Sequence, residues 1–223
     1  MKQSVNQIEL YYKKTGFGAP LILLHGNGED HLIFNELAKV LAKDYTVYAI
    51  DSRNHGKSSG TKDFSYETMS ADFSDFMEAL ALEGVSLVGF SDGGIIGLLL
   101  GIAQNPRLKQ MAVLGPNLSP DDFTTESMAY VRQEFADTGN PLFQLMLEQP
   151  NIPVEKLKEI QIPTLVIGAE HDIYQPELFP LIASTIPNAQ LLIIEGHDHG
   201  SYIIDNDLLG EPLKTFFADK KAL

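Results

Sequence analysis

Three kinds of side chain that together can activate a nucleophile stand in separate parts of this chain. Ser91 lies in Gly89-Phe90-Ser91-Asp92-Gly93, Asp172 closes Ala169-Glu170-His171-Asp172, and His197 and His199 lie in Gly196-His197-Asp198-His199-Gly200. A serine hydroxyl at its own pKa is a poor nucleophile and needs a base within hydrogen-bond reach. A histidine base needs an acid to fix its tautomer and stabilise its cation. In chain order, Ser…Asp…His supplies a nucleophile, an orienting acid and a base, and either histidine could serve. The spacing His197-x-His199 could also chelate a metal, but the further ligands of a hydrolytic metal site are missing nearby, so no metal is expected.

These residues must be held by elements that bring distant loops together. Pro20-Leu21-Ile22-Leu23-Leu24, Tyr45 to Ile50, Val85 to Phe90, Gln110 to Leu114, Pro163 to Ala169 and Ala189 to Glu195 read as strands, several of them continuously apolar, as expected when both faces are covered. Helical spacing of apolar residues falls between them, over 29–43, 66–83, 93–104, 177–186 and within 200–218. Gln7 to Lys14 alternates and predicts an antiparallel edge strand. Strands alternating with helices predict an α/β fold, a mostly parallel twisted sheet with helices on both faces. Ligands of such sheets bind beyond the carboxyl ends of the strands, and the loops holding Ser91, Asp172 and the histidines all leave strands there. One stretch breaks the alternation. Asn117 to Ile162 carries two short amphipathic helices, around 127–136 and 142–148, and is expected to form a small helical cap, an insertion over about 118–162 in a single domain spanning 1–223.

Composition narrows the function classes. The 223 residues are 44% apolar and carry a formal charge of −14, with no cysteine. A surface of that sign repels nucleic acid and anionic lipid, so neither partner is expected. The longest apolar run, about nine residues from Ile95, is far below the roughly 20 that span a bilayer. The N-terminal residues lack the apolar core of a signal peptide. Absence of cysteine fits a reducing compartment. The expectation is a soluble cytoplasmic protein, monomer or dimer.

Together, His25-Gly26-Asn27-Gly28, Asp51-Ser52-Arg53-Asn54-His55-Gly56-Lys57-Ser58, Gly89 to Gly94, the segment ending at Asp172 and Glu195 to Gly200 resemble the motifs of the α/β-hydrolase superfamily over nearly the whole chain. The resemblance implies a nucleophile elbow at Ser91, where glycines permit a sharp strand-to-helix turn, with Asp172 as acid and His199 as base. It also implies an oxyanion hole made by the backbone N–H groups of Asn27 and Asp92. His25, His31, His55 and His171 are then loop-ordering residues. Asn54 stands where the family usually has glycine. The Asp92 carboxylate has two readings, a cap on the following helix or a receptor for a cationic substrate group.

These features predict a serine hydrolase that cleaves small carboxylic esters through an acyl-enzyme, without a cofactor. Phe90, Asn27 and the cap residues Met128, Leu142, Phe143 and Met146 are expected to complete the substrate pocket. Thioesterase, amidase or iminopeptidase chemistry, and a non-hydrolytic ligand receptor, remain alternatives, because one fold hosts them all.

Overall fold

The computed structural model of the chain describes residues 1–218. Eight strands form one sheet: β1 (Lys2–Val5), β2 (Ile8–Gly16), β3 (Ala19–Leu24), β4 (Tyr45–Ile50), β5 (Val85–Phe90), β6 (Leu108–Leu114), β7 (Thr164–His171) and β8 (Ala189–Asp198), in the spatial order β1-β2-β4-β3-β5-β6-β7-β8. The strands from β3 onward run parallel; β2 pairs antiparallel with β4, and β1 pairs antiparallel with β2 at the edge. The expected edge strand over 7–14 is therefore one place in from the edge. Four residues before it form β1, too short and polar to register as a strand by pattern.

Side chains on a strand alternate faces, so a continuous apolar run is satisfied only between two layers. On β3, Ile22 and Leu24 pack into the layer of α2 (Tyr66–Ala79), α3 (Asp92–Ile102) and α6 (Leu178–Thr185). Leu21 and Leu23 point the other way, into the layer of α1 (Asn35–Leu41) and α7 (Gly210–Ala218). Every residue of β5 is buried, whereas β8 at the open edge leaves Leu191 and Ile193 partly exposed.

The helix expected over 29–43 is shorter. The Asp30 carboxylate accepts the Leu32 N–H at 2.7 Å and opens a 3₁₀ turn, His31–Phe34, ahead of α1. Between β6 and β7 the chain forms α4 (Thr125–Thr138) and α5 (Pro141–Glu148), the latter capped by Asn140 with proline in its first turn. Among the described residues, no helix is long and apolar enough to cross a membrane.

Candidate active site

The turn from β5 into α3 explains the glycines around Ser91. Ser91 adopts φ 51° and ψ −113°, a conformation costing a non-glycine residue of order 1–3 kcal/mol. The neighbouring backbone closes in tightly enough to hold it there. A Cβ on Gly89 would lie 2.1 Å from the Gly93 carbonyl oxygen, and one on Gly93 would lie 2.2 Å from that of Leu24. The Ser91 N–H donates to Leu114 O at 2.7 Å, and its carbonyl accepts from Gly94 and Ile95.

Three strand ends then meet. His199 Nε2 lies 3.1 Å from Ser91 Oγ, and His199 Nδ1 lies 2.8 Å from Asp172 Oδ1. Asp172 is fixed by the N–H groups of Ile173 at 2.8 Å and Ala169 at 3.3 Å. Because a carboxylate only accepts, Nδ1 carries the proton and Nε2 presents its lone pair to the serine. The His199 ring packs between Phe90 and Tyr174, with centroids 5.0 and 5.5 Å away. His197 turns aside to Ser201 Oγ at 3.1 Å. The two histidines thus face different partners and do not form a chelating pair.

The N–H groups of Asn27 and Asp92 donate to no other group among the described residues. The loop holding Asn27 is ordered by two imidazoles. His25 accepts the Ser52 N–H at Nε2 and donates from Nδ1 to Gly26 O; His55 accepts the Gly28 N–H and donates to Arg53 O. Burial, reinforced by His55 alongside, lowers the pKa of His25 to about 4, so it stays neutral. The Asp51 carboxylate accepts from the backbone of His31 and Lys57 and closes the next loop. Asn54 takes φ 65°, a region asparagine tolerates, and its side chain bridges Asp63 O and the Thr61 N–H. The departure from glycine is accommodated locally. Asp30, His31 and Asp51 cluster closely enough to suggest a cation site, but backbone N–H groups and the His31 ring already occupy the carboxylates. That arrangement braces a loop.

Asp92 follows neither of its sequence readings. Its carboxyl is buried and accepts the Tyr66 hydroxyl at 2.7 Å through Oδ1, while Oδ2 has no partner. It makes no side-chain cap on α3 and does not line the cavity. Burial raises its pKa, against the hydrogen bond from Tyr66.

Beyond Ser91 opens a cavity of about 400 Å³. Of the residues expected in the pocket, Phe90, Asn27, Leu142, Phe143 and Met146 line this cavity and Met128 does not. Met128 lies on α4, which stands behind α5, and it borders a separate surface depression with Phe123 and Arg132. Pattern places an apolar residue on a helix face but does not say which neighbour that face meets. Ile173, Ile204 and Glu29 also line the cavity and were not anticipated. Ile173 directly follows Asp172, an available signal; Ile204 comes five residues after His199 and carries no such signal. Glu29 opens the stretch of helical spacing over 29–43, and the sequence gives it no site role.

The model of the alpha/beta hydrolase fold family matches residues 19–150. The chain belongs to the α/β-hydrolase fold family. Among its α/β-hydrolase relatives, the serine hydrolase BPHL of Homo sapiens is 29% identical over 78% of this chain and 71% of its own. The non-heme chloroperoxidase CPO-A1 of Kitasatospora aureofaciens is 26% identical over 90% and 92%. An enol-lactonase from Burkholderia xenovorans LB400 superposes with a TM-score of 0.82 at 21% identity, covering 98% of this chain and 100% of the other, a likeness of fold.

Proposed function

We propose that the protein is a serine hydrolase acting on small carboxylic esters, with Ser91, His199 and Asp172 as its triad. The observation that carries this reading is the pair of contacts from Ser91 Oγ through His199 to Asp172, at the mouth of a cavity sized for a small molecule. Ser91 Oγ attacks the ester carbonyl as His199 Nε2 takes its proton. The carbonyl oxygen gathers negative charge opposite the N–H groups of Asn27 and Asp92, where each donor is worth about 10²–10³ in rate. His199 returns the proton to the departing alcohol, leaving an acyl-serine. Water, deprotonated by the same imidazole, then releases the acid and restores Ser91.

The segment over about 118–162 acts as the cap. Its α5 supplies Leu142, Phe143 and Met146 as the apolar wall, which suits a short acyl or aryl group. The serine hydrolase relative supports the reaction class.

The test is hydrolysis of p-nitrophenyl esters from acetate to decanoate by wild type and Ser91→Ala. We expect short chains to be preferred and kcat to fall about a thousandfold or more in the variant. Equal rates in both proteins would remove Ser91 from the chemistry. Turnover absent from folded wild type would favour amide or thioester substrates, or a receptor.

A further inference from the structure

The cavity beside Ser91 contains one acidic side chain that the triad does not use. Glu29 belongs to the loop carrying Asn27, and its Oε2 accepts the Gly26 N–H at 2.9 Å. Its other oxygen has no hydrogen-bond partner among the described residues. A carbon placed at the Cβ position of Gly26 would lie 2.9 Å from Glu29 Oε2 and 3.0 Å from Ser91 Cβ. The Glu29 carboxyl and the Ser91 side chain therefore flank the same space over Gly26, and both line the cavity. The walls are otherwise mainly apolar: Phe90, Leu142, Phe143, Met146, Ile173 and Ile204. Among the described residues, no lysine or arginine lines the cavity.

A carboxylate here works against the negative charge that builds on a substrate carbonyl oxygen, unless a positive group neutralises it. The imidazolium formed on His199 during attack supplies one such charge, and a cationic substrate would supply a second. On the serine-hydrolase reading of this cavity, we infer that Glu29 is a specificity-determining residue that receives an ammonium group carried by the ester close to its scissile bond. The acid-rich surface, at a net −14, draws such cations toward the site. Linkage agrees. Burial pushes the Glu29 pKa up to about 7, with the Gly26 N–H and His199 opposing the rise and Asp92 and Asp30 adding to it. A bound cation favours the ionised form and offsets the cost of burying it.

Two isosteric pairs of esters test the inference and locate the cation. β-Alanine ethyl ester against ethyl butyrate puts the charge on the acyl side; acetylcholine against its uncharged carbon isostere puts it on the alcohol side. In wild type, kcat/KM should favour the charged member of one pair, and the pair that responds assigns the side. Glu29→Gln should cut that preference about tenfold or more. The preference should also grow as pH rises through about 7, where Glu29 ionises, and be flat in Glu29→Gln. His199 acts on both members of a pair alike and cancels in the ratio. Equal preferences in wild type and Glu29→Gln for both pairs would overturn the inference. Failure of the esterase reading is read separately, by calorimetric binding of the same esters to Ser91→Ala. Tighter binding of a charged ester that Glu29→Gln abolishes upholds the cation site without turnover. Equal binding of charged and uncharged members refutes it.

Discussion

The elbow at Ser91 and the helix α5 face each other across one cavity, and they are built on opposite terms. The elbow is held by backbone against backbone, with no room for a single added carbon at Gly89 or Gly93. The α5 wall is a set of apolar side chains, of which only Leu145 is fully buried and the pocket-facing residues stay partly open. Backbone contacts tolerate no substitution, whereas apolar side chains can exchange at modest cost when volume is kept. On the proposed serine-hydrolase reading, the backbone-held side carries the chemistry and the side-chain wall sets selectivity.

Four substitutions would break or sharpen this contrast. Asp172→Asn removes the carboxylate that keeps the proton on His199 Nδ1, and kcat should fall about 10⁴-fold with the fold intact by circular dichroism. A fall below tenfold would mean that the acid lies elsewhere. Gly93→Ala drives a Cβ against Leu24 O, a backbone atom unable to move aside. It should lower unfolding free energy by about 4 kcal/mol or more, read from the denaturant midpoint. A near-normal midpoint would show that the elbow is looser than drawn. On the cap side the effects should be smaller and confined to substrate use. Met146→Ala should alter kcat/KM by about tenfold and move the preferred ester length upward, as removing pocket atoms does. Met128→Ala, behind α5, should change it by less than about twofold. Comparable shifts from both would place the cavity wall on α4 as well.

The same division governs what the sequence could tell. Gly89, Ser91 and Gly93 were readable because a sharp turn admits so few residue types, and the parallel strands because burial on both faces writes an uninterrupted apolar run. The two cap helices were also legible from their spacing, to within about two residues at either end. Met128 was misjudged because amphipathic spacing says that a face is covered, not by what. Asp92 was misjudged for a related reason. Its side chain meets Tyr66, 26 residues away on α2, and no local signal announces a partner that distant. Glu29 is not singled out by the sequence, where it opens the helical spacing over 29–43; it lines the cavity only because its loop, Phe90 and α5 meet there. The α1 boundary slipped because the Asp30 side chain started a tighter 3₁₀ turn before the helical register began.

The helix α5 is fastened at both ends to the body of the molecule. Asn27 Nδ2 donates to Leu142 O at 3.2 Å near its start, and the Tyr66 N–H donates to Gln149 Oε1 at 3.2 Å just past its end. Moving α5 away from the cavity would break the hydrogen bonds that tie it to the loop of Asn27 and to the start of α2. The outline of this wall is therefore set as much by the loop of Asn27 and the start of α2 as by α5 itself.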